Sequence, residues 1–132
     1  MAQDNVEVVR EWIDAFNRGG LEEIIGVLDP EIEWTTTSVY LEAGTYQGHE
    51  GVGRYLRRAM ARWEDVWIEP TRLIGAREQV VASVRVTARD RQTGSPTALT
   101  FTVVAELHGG VIVRLCNYTN QAEAFEAAGL TH

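Results

Sequence analysis

The stretch Thr97–Tyr118, TALTFTVVAELHGGVIVRLCNY, decides the fold. It holds two apolar-rich runs joined by His108-Gly109-Gly110. In the first run Leu99, Phe101, Val103, Ala105 and Leu107 share one face, and Thr100, Thr102, Val104 and Glu106 share the other. In the second, Val111, Val113, Leu115 and Asn117 alternate with Ile112, Arg114, Cys116 and Tyr118. Period-2 alternation marks strands with two unlike faces, and Gly-Gly supplies the positive φ of a tight turn. The stretch therefore predicts a β-hairpin with one nearly all-apolar face. Asn117 is the polar residue at the end of that face.

Working outward, Gln79–Arg89 alternates as a longer strand. Val80, Ala82, Val84, Val86 and Ala88 point one way, and Val81, Ser83, Arg85, Thr87 and Arg89 the other. Asp90–Pro96 reads as a polar turn. A strand over Val66–Ile74 is interrupted by Pro70, which marks an edge or a bulge. Before it, Glu50–Trp63 reads as a helix with Val52, Tyr55, Leu56, Ala59 and Trp63 in its buried stripe.

Residues Asn5–Arg18 carry Val6, Val9, Ile13 and Phe16 at helical spacing, with Trp12 flanking them and Gly19-Gly20 as a stop. A short helix follows over Leu21–Leu28. Glu31–Thr37 alternates as a strand, and Val39–Gly48 reads as a loop. Asn120–Gly129 is a short Ala-rich terminal helix. Helices come early and antiparallel strands late, which is an α+β order. We expect a cone: a curved antiparallel or mixed sheet with three helices of the N-terminal half covering its concave face.

Composition narrows the function. The 132 residues fit one domain with a sizeable core. The formal charge of −7 disfavours nucleic acid, and the arginines at 54, 57, 58 and 62 read as a solvated helix face. No apolar run approaches the roughly 20 residues of a membrane span. MAQDNVEVVREW shows no basic segment followed by an apolar one, so a cytoplasmic location without a secretory leader is expected. The single Cys116 cannot form an internal disulfide, which fits a reducing compartment. His49, His108 and His132 lack ligand spacing, so neither a metal nor a cofactor is expected.

The segments VVREWIDAFNRGGLEEIIGVLDPEIEW, YQGHEGVGRYL and RLCNYTNQAEAFEAAGL, in this order and spacing, resemble the nuclear transport factor 2-like superfamily, in its SnoaL-like and ketosteroid isomerase-like branch. The resemblance covers nearly the whole chain. It implies the cone and a small-molecule pocket inside it. Ketosteroid isomerases of this family place a Tyr, an Asp base and a protonated Asp where this chain has Trp12, Thr36 and Val103. Limonene epoxide hydrolase-like members place an Arg and two Asp where it has Arg85, Thr87 and Asn117. The carboxylates of both mechanisms are missing. Water activation then lacks a base worth roughly 10² to 10⁴-fold.

The resemblance puts Trp34, Thr36, Arg85, Thr87, Phe101, Val103, Leu115 and Asn117 on the concave face. Trp12, Tyr40 and Trp63 join them as candidate ligand contacts. Arg85 and Asn117, with His49 as a proton carrier, are the candidate catalytic residues. Arg85 would meet an oxygen of the ligand; its alternatives are a loop carboxylate such as Glu42, or water at the rim. The expected function is an enzyme of isomerase, cyclase or hydrolase type acting on an apolar carbonyl or a polyketide-, terpenoid- or steroid-like compound. The alternative is a non-catalytic protein binding a small apolar or aromatic ligand. The outer face, with Thr100, Thr102, Val104, Ile112, Cys116, Tyr118, Val84 and Val86, is expected to lie uncovered and to pair two copies as a homodimer.

Overall fold

A computed structural model describes residues 2–36 and 43–130. The chain runs α1 (Ala2–Arg18), α2 (Leu21–Gly26), β1 (Leu28–Thr36), β2 (Gly44–Gln47), α3 (Gly48–Arg62), β3 (Trp63–Ala76), β4 (Gln79–Asp90), β5 (Pro96–His108), β6 (Val111–Tyr118) and α4 (Gln121–Ala127). The strands form one six-stranded sheet in the order β2-β1-β6-β5-β4-β3. The β1–β6 pair is parallel and the others are antiparallel, so the sheet is mixed. No described helix is long and apolar enough to cross a membrane.

The quoted stretch forms the expected hairpin, with Gly109 at φ 60° and Gly110 at φ 78° in its turn. Two consecutive left-handed residues match the twist of the flanking strands. One detail differs. Glu106 pairs with Arg114 but Leu107 pairs with Ile112, so Val113 is an extra residue bulged out of the ladder. A bulge of one residue reverses the inside–outside parity beyond it. Ile112 therefore belongs to the main core and is fully buried, not on the outer face.

α1 presents Val9, Trp12, Ile13 and Ala15 to the concave side, and α3 adds Val52, Tyr55 and Leu56. These meet Ile32 and Trp34 of β1, Ala82 and Val84 of β4, Val103 and Ala105 of β5 and Leu115 of β6. Leu28, expected in the second helix, opens β1 instead. β2 occupies part of the stretch expected as a loop. Trp63, expected on the third helix, is the first residue of β3.

β3 is an edge strand, and its register shifts between Pro70 and Arg72, so the proline sits at an edge and a bulge. Proline lacks the N–H that an inner ladder requires. Asn17, near the end of α1, ties down this edge. Its Nδ2 donates to the Ile68 carbonyl at 2.8 Å, and its Oδ1 accepts from the Ile68 N–H at 2.7 Å.

The outer face is partly covered. α4 is capped by Asn120, whose Oδ1 accepts from the N–H groups of Ala122 at 2.8 Å and Glu123 at 3.3 Å. The helix sets Ala124 and Phe125 on Val81 and Val104 as a second core. An uncovered apolar face is thus corrected to a face roofed by α4 over its middle. Val84 and Val86 do not contribute to it, since both point to the concave side.

Candidate functional site

Between α1, α3 and the sheet the concave side holds a cavity of about 130 Å³ that opens to solvent on one side. α1 supplies Trp12, Ile13 and Phe16, and α3 supplies Tyr55, Leu56 and Ala59. The sheet side comes from Trp34, from Val66 and Ile68 of β3, from Ala82, Val84 and Val86 of β4, from Phe101 and Val103 of β5, and from Asn117 of β6. Each helical contribution is one turn of an amphipathic stripe, and each strand contribution follows the period of two.

The aromatic side chains brace one another. Trp12 meets Phe16 edge-on at 5.1 Å and Trp34 at 5.4 Å between ring centroids. Trp34 meets Tyr55 at 5.5 Å, and Tyr55 stacks on Tyr46 at 4.4 Å. The Arg58 guanidinium lies over the Tyr46 ring at 5.8 Å. Edge-to-face pairs fix ring directions, so these walls are preformed.

Polar groups are few. Trp34 Nε1 donates to Asn117 Oδ1 at 3.1 Å in a buried hydrogen bond. That bond orients the Asn117 amide. Trp12 Nε1 and Thr36 Oγ1 are buried and have no hydrogen-bond partner among the described residues. Among the described lining residues there is no carboxylate, imidazole, lysine or arginine. No group of three His, Cys, Asp or Glu among the described residues could hold a metal ion.

The site expected from sequence is assembled in part. Trp12, Trp34, Phe101, Val103 and Asn117 all line the cavity. Leu115 and Thr36 are buried on the same side, and Thr36 stands beside Asn117 in the β1–β6 register, but neither lines the cavity. Tyr40 and Glu42 lie outside the described residues. Trp63 lies away from the cavity, with the Arg62 guanidinium 4.8 Å over its ring.

Arg85 and Thr87 are not in the cavity. Val84 pairs with Phe101 and Arg85 with Thr100, so Val84 is the residue that shares a face with Phe101. Arg85 is exposed on the outer face, opposite Glu69 of β3, and lines a shallow groove with Thr87, Asp65 and Arg89. The physical reason is burial: an arginine facing this apolar cavity would have no partner to offset its desolvation. His49 is also elsewhere. It sits in the first turn of α3 with Nε2 2.8 Å from the Leu28 carbonyl.

Ile13, Phe16, Tyr55, Leu56, Ala59, Val66, Ile68, Ala82, Val84 and Val86 line the cavity without having been candidates. Their signal was in the sequence. Ile13, Phe16, Tyr55, Leu56 and Ala59 belong to the helical apolar stripes, and the unbroken series Val80, Ala82, Val84, Val86 is the more apolar face of its strand.

The sequence profile of the SnoaL-like domain matches residues 9–115. A search of curated protein sequences finds no match. Several solved structures share the fold. An NTF2-like protein of unknown function from Burkholderia pseudomallei is 25% identical, with 93% of this chain and 95% of that one covered and a TM-score of 0.79. TerC, crystallised with polyporic acid, is 19% identical over 93% of this chain and 96% of its own, with a TM-score of 0.79. A protein of ketosteroid isomerase-like fold from Catenulispora acidiphila, in complex with trimethylamine, is 17% identical over 95% of this chain and 94% of that one, with a TM-score of 0.78. The chain belongs to the SnoaL-like domain family, within the nuclear transport factor 2-like superfamily.

Proposed function

We propose that this protein binds a small, uncharged, largely apolar compound in the cavity between α1, α3 and the sheet. The observation that carries this reading is the cavity's lining: apolar and aromatic walls with Asn117 oriented by Trp34, and no carboxylate or imidazole among the described lining residues. Preformed apolar concavities with few polar groups are how small-molecule sites are built. TerC with polyporic acid shows a neighbour of the same fold crystallised with a small organic compound.

Catalysis of the isomerase, cyclase or hydrolase type is the second reading, favoured by family membership. It requires a group that moves a proton within hydrogen-bond reach of the ligand. Among the described lining residues the Tyr55 phenol is the side chain of that kind. His49, given that role from sequence, holds the Leu28 carbonyl instead.

Incubation of the purified protein with a panel of neutral ring compounds tests both readings, with melting temperature and product analysis read in parallel. A ligand that binds the native state raises the melting temperature by mass action. Binding without conversion is the expected outcome. Conversion of a bound compound establishes the second reading, and no rise for any neutral compound refutes both.

We also propose that two copies pair through the part of the outer face that α4 leaves open. Trp67 there is 55% exposed, next to Thr87 in the sheet register. A large apolar side chain left this open on a sheet face supports association.

A further inference from the structure

The size of the cavity, together with its walls, limits the ligand. We infer that the ligand is an uncharged compound of a single six-membered ring, with small substituents at most, and that fused polycyclic skeletons do not fit within the cavity. This deepens the proposed function and rests on it.

Volume is the first argument. The cavity holds about 130 Å³. An apolar protein cavity of roughly 150 Å³ accepts benzene, so the space inside this one seats one ring, and the further rings of a polycyclic skeleton would be left outside its walls. Stiffness is the second. Trp12 is held edge-on by Phe16 and Trp34, and Trp34 by Tyr55, with Asn117 fixing the Trp34 indole through a 3.1 Å bond. Widening the cavity on the side of Trp12, Trp34 and Asn117 requires breaking that bond and these contacts, and close-packed interiors do not stretch to that extent.

Charge is the third argument. A ligand carboxylate or ammonium would leave water without a counter-charge, because the described lining residues carry none. An unpaired buried charge is the costliest group a site can take in. The same walls that admit toluene or anisole therefore refuse benzoate.

The experiment is a size-and-charge series on the full chain. Melting temperature and the quenching of tryptophan emission are read for toluene, anisole and cyclohexanone, for naphthalene, for anthraquinone and testosterone, and for benzoate against benzaldehyde. Toluene, anisole, cyclohexanone and benzaldehyde are expected to bind. Benzoate is expected to bind at least about tenfold more weakly than benzaldehyde. Naphthalene, anthraquinone and testosterone are expected to give no shift in the parent protein.

Two variants place the effect in the cavity. Ala59→Leu puts three added carbons into the space at a helical position and is expected to abolish single-ring binding with the fold retained, as judged by circular dichroism. Val86→Ala enlarges the space and is expected to raise the affinity for naphthalene relative to toluene. Naphthalene, anthraquinone or testosterone binding the parent protein as tightly as toluene or benzaldehyde, or giving any clear shift, overturns the size limit but leaves the proposed function standing. Single-ring binding unchanged in Ala59→Leu also overturns it. No neutral compound binding at all overturns the proposed function with it.

Discussion

Trp34 and Asn117, 83 residues apart in sequence, share a buried hydrogen bond of 3.1 Å where the parallel strands β1 and β6 run side by side. The bond satisfies an indole N–H that would otherwise be shut away from water. It also turns the amide at the cavity's edge into a fixed group. Asn117→Leu is expected to cost about 1–3 kcal/mol, because the Trp34 donor is left unpaired. In the double variant Trp34→Phe, Asn117→Leu the loss is expected to be smaller than the sum of the single losses, since neither partner is then orphaned. Urea unfolding of the four proteins measures this directly.

Asn17 performs a similar task for the edge strand. Its amide closes both hydrogen-bonding groups of Ile68, a residue of the cavity wall. Asn17→Ala is expected to destabilise the protein by about 1–2 kcal/mol. The backbone amide of Ile68 should then lose protection in hydrogen exchange ahead of the amides of β4. Equal protection in the variant and the parent would show that the Asn17 contact does not hold the strand.

The two faces of β4 make a sharper contrast. Arg85→Ala touches an exposed side chain on the outer face and is expected to change stability by less than about 0.5 kcal/mol. Ligand affinity should not change. Val84→Ala, one position away, removes buried methyl groups from the cavity wall and is expected to cost about 2 kcal/mol. A ligand whose binding falls with Arg85→Ala and not with Val84→Ala would place the site on the other side of the sheet.

His108 supplies a pH dependence away from the cavity. Its hydrogen bond with Glu106, 2.9 Å from Nε2, raises its pKa above 6.5, and the nearby Glu78 adds to this. A folded-state value above the unfolded one means that the protonated form is favoured in the fold. The contribution is therefore fully present below pH 6.5 and is lost as pH rises through the elevated folded value. NMR titration of the imidazole is expected to show a midpoint above 6.5, moved downward by Glu106→Gln.

Association through the outer face is tested at Trp67. Sedimentation velocity is expected to give a dimer for the parent chain and a monomer for Trp67→Glu, which sets a charge where the exposed indole stands. A monomeric parent, or a variant that still dimerises, refutes pairing through this surface.

The sequence by itself determined what depends on neighbours along the chain. The alternation in Thr97–Tyr118, the Gly109-Gly110 turn, the apolar stripes of α1 and α3 and the proline at the edge of β3 are local patterns, and each produced the element it announced. Five cavity residues, Trp12, Trp34, Phe101, Val103 and Asn117, were legible because they continue those patterns or match positions of the family. Only the tertiary structure decided which face of β4 turned inward and where the alternation of β6 reversed. One bulged residue at Val113 carried Ile112 into the core. The pairing of Val84 with Phe101 put Arg85 outside, against the position implied by family resemblance and in agreement with its own strand's apolar alternation. The roof of α4 over Val81 and Val104, and the bond joining Trp34 to Asn117, link segments remote in sequence. Their formation depends on the balance between desolvation and packing once the whole sheet has closed, a balance that no window of neighbouring residues contains.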